Sequence, residues 1–219
     1  MKKIIAFDLD GTLSESKQDI TQETAKSLVN LLEIYEVAVI SGANKEQLFK
    51  QLERHVRANL SNLELLRKLY LLPISGAQAF IYDGSWNKVW NYPLAAEEKD
   101  LIHKEWKNAC KMLNVNTIPI VGWGSLAEDR EAQMTFSMLG QEAPLEDRKE
   151  WDPLGEIRSN IISFMHLPDY NVRMGGTTSI DVSRKGVDKA FGMNNLLEMK
   201  KYNIEDVMYF GDAFHETGN

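Results

Sequence analysis

Cysteine, long apolar runs and an excess of basic residues are all lacking from this sequence. The single cysteine, Cys110, cannot form an internal disulfide, which fits a reducing cytoplasm. No apolar run approaches the roughly 20 residues of a membrane helix, and residues 1–3 lead straight into a strand pattern, so we expect neither a membrane anchor nor a signal peptide. The formal net charge of −7 argues against nucleic-acid binding. A small phosphorylated ligand remains compatible, because a few local cations and a metal can neutralise it.

The sequence does contain the alternating pattern of an α/β domain. Short apolar runs at residues 3–7, 37–40 and 69–72 predict buried strands, and residues 21–33 place apolar side chains at helical spacing. Strands that alternate with helices are typical of a parallel sheet covered by helices. We therefore predict an α/β fold with a parallel sheet, whose first strand ends at Asp8.

The rhythm changes after about residue 79. The pattern there predicts an antiparallel hairpin over residues 79–90, a helix over 95–113 and a half-exposed or edge strand over 131–139. Asp152 followed by proline predicts the start of a further helix, because aspartate caps helices and proline fits the first helical position. This block has its own strands and helices, which indicates a separate lobe.

The separate lobe is interpreted as an insertion into the first domain. The predicted core comprises residues 1–83 and 184–219, and the inserted lobe comprises residues 84–183. The core pattern returns near the end of the chain with a predicted strand over residues 207–210. Because the chain stops at Asn219 directly after a loop, we expect the natural product to continue further.

Polar side chains follow the apolar runs at the positions where parallel strands end. Asp8 and Asp10 follow the first strand, Ser41 the second and Asp212 the last, while Lys189 lies in the first turn of a predicted helix. The carboxyl ends of parallel strands lie along one edge of a sheet, where open α/β folds bind ligands. Carboxylates, a hydroxyl and an amine are the groups needed to handle a phosphoryl group. We therefore predict a phosphoryl-transfer site at this edge.

The chemistry suggests a role for each carboxylate. Asp8 can attack phosphorus and carry it as an acyl phosphate. Because Asp8 and a phosphate monoester are both anions, a cation must lie between them, and Mg²⁺ prefers oxygen ligands such as Asp8, Asp212 and the carbonyl of Asp10. The carboxyl group of Asp10 can protonate the leaving alkoxide and later deprotonate water. These roles predict a Mg²⁺-dependent enzyme with a covalent intermediate.

Small and polar residues around the aspartates are predicted to hold the substrate. Glycine permits the sharp turn after the acidic pair, threonine can fix that loop by hydrogen bonds, and serine and lysine can bind the outer phosphoryl oxygens. The residues in these roles are Gly11, Thr12, Ser41, Gly42 and Lys189. Lys185 is an alternative to Lys189, and either side chain also fits an ordinary surface position.

Residues 7–13 (Phe-Asp-Leu-Asp-Gly-Thr-Leu) resemble the first motif of the haloacid dehalogenase superfamily. Ser41 lies where the second motif has Ser or Thr, residues 186–189 look like the third motif with Lys189 as its lysine, and residues 211–219 look like the fourth, which usually continues with another aspartate. The four motifs occur in the family order and span the chain. The resemblance implies a Rossmann-like core, Mg²⁺ as the cofactor, and phosphatase or phosphotransferase activity.

The inserted lobe resembles the type IIB cap of that superfamily. Within this group the chain is similar to the eukaryotic-type phosphomannomutases, because residues 175–182 resemble their sugar-binding strand. The similarity implies that Ser179 and Asp181 contact sugar hydroxyls. It also implies that Arg130 and Arg148 lie near the cap arginines that grip the distal phosphate.

Several functions remain open from the sequence. The preferred prediction is a phosphatase acting on a phosphosugar or a similar small phosphoester, because Gln141 stands where another phosphate-binding arginine is expected and a mutase must hold two phosphates. The alternative is a hexose phosphomutase such as a phosphomannomutase. Two more remote hypotheses are a phospho-receiver module and a catalytically silent binding protein. Ordinary solvated positions also fit Ser179, Asp181, Arg130 and Arg148. The sequence is compatible with a homodimer but does not specify the oligomeric state.

Overall fold

A computed structural model describes residues 2–15 and 18–212. The chain divides into two compact units: one contains the chain up to Tyr92 and resumes at Gly186, and the other spans Pro93–Lys185. The two units have separate sheets and separate apolar cores. Among the described residues, no helix has the length and apolar character required to cross a membrane.

The strands formed by the described residues belong to two sheets. They are β1 (Ile4–Asp8), β2 (Glu36–Ile40), β3 (Leu69–Leu72), β4 (Gln78–Tyr82), β5 (Trp86–Asn91), β6 (Ala127–Asp129), β7 (Gln133–Ser137), β8 (Tyr170–Gly175), β9 (Ser179–Arg184) and β10 (Val207–Phe210). The first unit has the order β10-β1-β2-β3-β4-β5, and the second has β6-β7-β9-β8. Strands β10, β1, β2 and β3 run parallel, whereas all other pairs are antiparallel. The predicted α/β class with a parallel sheet is confirmed.

Helices and helical turns connect these strands. They are α1 (Gln22–Ile34), α2 (Lys45–Leu48), a π-helical turn (Phe49–Glu53), α3 (Arg54–Asn59), α4 (Ala96–Met112), α5 (Leu145–Trp151), α6 (Glu156–Phe164), α7 (Lys189–Lys200) and 3₁₀ turns at Leu63–Lys68, Ile74–Gly76 and Ile204–Asp206. Helix α1 shows why the sequence is helical: the side chain of Thr21 accepts a hydrogen bond from the N–H of Thr24 at 3.1 Å. Ala25, Leu28 and Leu32 then recur on its buried face.

The sheet of the first unit is covered on both faces. On β2, Val37 and Val39 pack into one apolar cluster, while Ala38 and Ile40 pack into another. Side chains of a strand alternate between faces, so a strand buried on both sides is a continuous apolar run. This explains why the parallel strands are short uninterrupted apolar segments in the sequence.

The second unit has its own core between the antiparallel sheet and its helices. Trp106 of α4 stacks on Phe136 of β7 with ring centroids 4.5 Å apart. Ile161 of α6 and Ile180 of β9 are fully buried in the same cluster. Burial of such large apolar side chains is the main favourable term in folding, so this unit has the core of a separate folding module.

Strand β5 belongs to the sheet of the first unit, although the sequence analysis placed residues 84–183 in the inserted lobe. The turn after β4 folds β5 back along it, with Gln78 opposite Asn91 and Tyr82 opposite Trp86. The chain therefore passes from the first unit to the second after Tyr92, rather than after residue 83 as predicted. The assignment of the two units as catalytic core and cap stays a prediction.

Two local predictions in the second unit are wrong. The strand predicted over residues 131–139 as half-exposed or edge is β7, which is fully buried and pairs on both sides. The helix predicted to start at Asp152 starts at Glu156. The carboxylate of Asp152 nevertheless accepts hydrogen bonds from the N–H groups of Ile157 at 3.1 Å and Arg158 at 3.2 Å, so it caps α6 from farther away.

Candidate active site

The parallel strands of the first unit end side by side. Asp8, the last residue of β1, is directly opposite Ile40, the last residue of β2. Ser41 follows β2 immediately, and Asp212 follows β10 by two residues. Because β10 and β2 both pair in parallel with β1, the structure places Asp8, Ser41 and Asp212 at one edge of the sheet.

Asp8 forms an ion pair with Lys189 at this edge. Nζ of Lys189 lies 2.6 Å from Oδ2 of Asp8, and the two side chains are only 13% and 11% exposed. The other carboxylate oxygen, Oδ1, accepts a hydrogen bond from the N–H of Leu9 at 2.7 Å. A charge-assisted pair shielded from water is held more firmly than a surface pair. The carboxylate of Asp8 therefore has a fixed orientation.

Lys189 is the first residue of α7, a position where the helix dipole disfavours a cation. Asp188 precedes it as the N-cap, and its Oδ1 accepts a hydrogen bond from the N–H of Phe191 at 2.9 Å. This cap and the carboxylate of Asp8 offset the unfavourable placement. The alternative lysine, Lys185, lies in the second unit, where its N–H donates to the carbonyl of Asp169 at 3.0 Å.

The turn after β1 is closed by backbone hydrogen bonds. Gly11 has a φ of +78°, in the left-handed region that glycine adopts without a steric cost, and its N–H donates to the carbonyl of Ser14 at 2.8 Å. The carbonyl of Leu9 accepts from the N–H of Thr12 at 3.2 Å. The hydroxyl of Thr12, expected to fix this loop, is buried and has no hydrogen-bond partner among the described residues. A buried unpaired hydroxyl is costly unless a ligand satisfies it.

Asp212 lies against this turn. A methyl group added to Gly11 would be 2.3 Å from Oδ2 and 2.8 Å from Cγ of Asp212, so the carboxyl group occupies the space that any side chain at Gly11 would fill. Tyr209, which the sequence analysis missed, faces the same carboxylates. Burial, with the added charges of Asp8 and Asp212, raises the pKa of Tyr209 to about 12. Its hydroxyl therefore stays protonated as a donor at neutral pH.

The available donors suit a hard cation such as Mg²⁺. The described residues contain no group of three or more His, Cys, Asp and Glu side chains arranged to hold a metal. The site predicted from the sequence uses two carboxylates, Asp8 and Asp212, with the backbone carbonyl of Asp10. These donors are all oxygens, which Mg²⁺ prefers. The absence of a side chain at Gly11 is what allows Asp212 to approach them.

Ser41 lies beside this acidic group and is completely buried. Its Oγ accepts a hydrogen bond from the N–H of Ala43 at 3.0 Å, and a hydroxyl that accepts one hydrogen bond can also donate one. Gly42 separates these two residues and has the Oγ of Ser75 close to it. Ser75 also follows an apolar strand, so the rule that selected Ser41 would have selected Ser75.

Ser179 and Asp181 lie on β9 in the second unit. Oδ1 of Asp181 accepts a hydrogen bond from the hydroxyl of Thr135 at 2.7 Å, and Oδ2 would lie 2.3 Å from a methyl group added to Gly175. Asp181 is thus hydrogen-bonded to Thr135 on β7 and lies close to the backbone of Gly175 on β8. Ser179 is half-buried. Their sugar-binding roles stay predictions.

The predicted phosphate-binding arginines also lie in the second unit. Arg130 forms an ion pair with Glu128 at 2.8 Å, and Arg148 belongs to α5. Nε of Arg130, Nε of Arg148 and Nε2 of Gln141 are buried donors that have no hydrogen-bond partner among the described residues. Unpaired buried donors suit an acceptor ligand, and the anion-binding roles stay predictions.

Comparisons with known proteins find similar sequences and similar structures. A family model described as haloacid dehalogenase-like hydrolase matches residues 127–215. The phosphomannomutase of Spinacia oleracea is 26% identical over 224 residues, which cover 99% of this chain and 84% of that protein. The structure of the Plasmodium falciparum IMP-nucleotidase matches with a TM-score of 0.66 at 18% identity, covering 100% of this chain but only 61% of that one. A haloacid dehalogenase-like hydrolase from Bacteroides thetaiotaomicron matches with a TM-score of 0.65 at 18% identity, covering 98% of this chain and 83% of that one.

The family match and the curated relatives support an enzyme of the phosphatase and phosphotransferase type. The chain resembles proteins of the haloacid dehalogenase superfamily and, among them, the phosphomannomutases. The structural matches, at 18% identity, show the fold alone. Of the predicted fourth motif, residues 213–219 lie outside the described residues.

Proposed function

We propose that this chain is a Mg²⁺-dependent phosphatase that acts in the cytoplasm on a sugar phosphate or a similar small phosphoester. The observation that carries the proposal is the pairing of Asp8 with Lys189 at 2.6 Å, in a shielded position at the carboxyl edge of the sheet. A lysine held against a carboxylate in this way suits the binding of an anion that the carboxylate is to attack. The proximity of Asp212 to the same turn supports it.

Asp8 is the nucleophile in this proposal. One of its oxygens forms a bond to phosphorus while the bond from phosphorus to the leaving oxygen breaks, and the phosphoryl group becomes an acyl phosphate on Asp8. The carboxyl group of Asp10 gives its proton to the leaving oxygen. In the second step Asp10 takes a proton from water as the water attacks phosphorus, which releases phosphate and restores Asp8.

The neighbouring donors stabilise the charge that develops on the phosphoryl oxygens. Lys189 supplies a cation, and the hydroxyls of Ser41 and Thr12 supply neutral donors. Asp8, Asp212 and the carbonyl of Asp10 are the residues that would hold Mg²⁺. When bound, the ion supplies positive charge that lets an anionic carboxylate approach an anionic substrate.

The test is the replacement Asp8→Asn, assayed by phosphate release from p-nitrophenyl phosphate in Mg²⁺. We expect turnover to fall by at least about 10³-fold, because the amide is a far poorer nucleophile. The matched control is Asp83→Asn, since Asp83 is an exposed aspartate in the turn after β4 whose side chain is 65% exposed. Undiminished turnover in Asp8→Asn would remove Asp8 from this role.

A hexose phosphomutase is the second candidate function. The similarity to the phosphomannomutase of Spinacia oleracea along 99% of this chain favours it. A mutase moves the phosphoryl group between two positions of the sugar, so net phosphate release is small. A screen of sugar phosphates in Mg²⁺ should therefore score phosphate release and isomerisation together. Interconversion of mannose 6-phosphate and mannose 1-phosphate without phosphate release would decide for the mutase.

A further inference from the structure

The loop that joins β3 to β4 has an unusual backbone. Three consecutive residues have positive φ angles: Ile74 at 51°, Ser75 at 50° and Gly76 at 84°. Glycine adopts this region without a steric cost, but for the β-branched Ile74 it is a true outlier, and for Ser75 it is also unfavourable. Strain of about 1–3 kcal/mol per residue persists only where the surrounding structure imposes it.

One side of the loop is held by the segment that follows β2. The N–H of Ser75 donates to the carbonyl of Ser41 at 2.8 Å, and the N–H of Ile74 donates to the carbonyl of Ala43 at 2.9 Å. These two bonds join the loop to Ser41 and to Ala43, the residues on either side of Gly42. The position of Ser75 is therefore fixed relative to Ser41.

The other side of the loop is held by α7. A methyl group added to Gly76 would lie 2.6 Å from Cα of Gly192, so the two backbones are in direct contact. Helix α7 begins at Lys189, whose side chain contacts Asp8. The loop is thus clamped between the two elements that carry Ser41 and Lys189.

Ser75 is the residue of this segment that is not buried. Within residues 69–80, every residue is buried except Ser75, which is half-exposed. Its Oγ lies 3.9 Å from the place that a side-chain carbon on Gly42 would occupy. The hydroxyl therefore lies at the carboxyl edge beside Ser41 and Gly42, and the strained backbone places it there.

We propose that Ser75 is a further substrate-contacting residue, whose hydroxyl donates a hydrogen bond to an oxygen of the phosphoryl group bound next to Ser41. This inference rests on the proposed function, because it uses the same anion site. A hydroxyl aimed at an anionic oxygen makes a charge-assisted hydrogen bond, which is stronger than one between neutral partners. The rigid attachment to Ser41 and α7 means that little conformational entropy is lost when the contact forms.

The test compares Ser75→Ala and Ser75→Gly with the wild-type chain. Both variants lose the hydroxyl, but glycine adopts the left-handed backbone without a steric cost, so any shared effect belongs to the hydroxyl. Ser85→Ala is the control, because Ser85 is an exposed serine in the turn between β4 and β5. Inorganic phosphate binding is measured by calorimetry in Mg²⁺, and kcat/KM is measured with p-nitrophenyl phosphate and with a sugar phosphate.

We expect both Ser75 variants to bind inorganic phosphate about ten-fold more weakly and to lose about ten-fold in kcat/KM with both substrates. Ser85→Ala should change neither quantity. Wild-type phosphate affinity in Ser75→Gly would overturn the proposal, and so would a loss confined to the sugar phosphate, which would place the contact at the leaving group.

The two proposals can fail separately. Phosphate affinity is read without turnover, so Ser75 is tested even if Asp8→Asn leaves phosphate release unchanged. That result would refute the nucleophilic role of Asp8 while the calorimetric comparison at Ser75 still stood. A wild-type chain that binds no inorganic phosphate in Mg²⁺ would overturn the contact proposed for Ser75.

Discussion

Replacing Gly11 with alanine perturbs the predicted metal site without changing any charge. The added methyl group would lie 2.3 Å from Oδ2 and 2.8 Å from Cγ of Asp212. Rotation of the carboxylate alone cannot relieve this overlap, because the central carbon of the carboxyl group is itself too close. The whole carboxyl group of Asp212 must therefore move away from the turn.

Two costs follow from the geometry. The φ of +78° at Gly11 is unfavourable for alanine by about 1 kcal/mol of unfolding free energy. Restoring an ordinary contact requires Oδ2 of Asp212 to retreat by roughly 1 Å. A misplacement of about that size at a reacting centre costs on the order of 10²-fold in rate, and Mg²⁺ tolerates little departure from its preferred geometry. We therefore expect kcat/KM to fall by about 10²-fold, with a higher Mg²⁺ concentration at half-saturation.

The control is Gly84→Ala, which isolates the backbone term. Gly84 has a φ of +76°, almost the same as Gly11, but a methyl group added there would meet no atom within 4 Å. Both variants should lose a similar free energy of unfolding in urea, about 1 kcal/mol. The assay is phosphate release from p-nitrophenyl phosphate over a range of Mg²⁺ concentrations, with urea unfolding measured alongside.

The difference between the two variants tests the shared cation site. Only Gly11→Ala should lose activity and Mg²⁺ affinity, because only Gly11 adjoins Asp212. Equal kcat/KM in the two variants, at equal stability, would refute the claim that Asp212 and the turn after β1 share one cation site. A loss of activity that extra Mg²⁺ does not change, with kcat alone reduced, would remove the ion from the explanation.

Two further predictions concern the second unit. Arg158→Met should lower the free energy of unfolding, measured in urea, by about 3–5 kcal/mol. The reason is that the buried carboxylate of Asp152 loses the guanidinium that lies 2.9 Å from it. Retention of wild-type stability would contradict this prediction. Burial alone would raise the pKa of Asp152, but the guanidinium and nearby N–H groups outweigh it and lower that pKa. The pKa of Glu98 is lowered to about 2, chiefly by its hydrogen bond with Arg184. Its ionised carboxylate therefore stabilises the fold fully above the ordinary pKa of glutamate, and this stabilisation is lost as the pH falls toward 2. In Glu98→Gln the free energy of unfolding should therefore fall by about 1 kcal/mol less between about pH 5 and pH 2 than in the wild-type chain. The value is this small because solvent around the partly exposed Arg184 weakens the pair. An unchanged pH dependence of the unfolding free energy would contradict this prediction.

The central strands were predictable because burial on both faces leaves a simple pattern. Residues 37–40 are uniformly apolar since each side chain enters one of the two cores. Strand β5 was harder to place, because its side chains are mostly exposed or half-exposed, and membership of a sheet depends on its pairing with β4. Local sequence patterns do not specify which strands pair over long range. The boundary predicted between the units therefore lies several residues from the observed one.

Strand β7 and the start of α6 were mispredicted for a related reason. Gln133, Thr135 and Ser137 of β7 alternate with apolar residues, which predicts a face open to water, yet all three are buried. They are satisfied inside the unit, for example by the hydrogen bond from Gln133 to Thr135 at 2.9 Å. At Asp152 the carboxylate binds N–H groups five and six residues later, because it also pairs with Arg158. A polar residue in such a pattern indicates solvent exposure or helix capping only where the folded protein offers it no other hydrogen-bond or ion-pair partner.

The candidate site shows what a list of reactive side chains leaves out. The carboxylates and the lysine were selected from the sequence because their chemistry is visible there, but their spacing depends on residues that have no side chain. Gly11 makes room for Asp212, and contact between Gly76 and Gly192 brings the loop after β3 against α7. A methyl group at any of these positions would alter distances within the site without altering its charge. Glycine replacements should therefore separate the geometric from the chemical contribution to phosphoryl transfer, which replacements of the reactive residues cannot do.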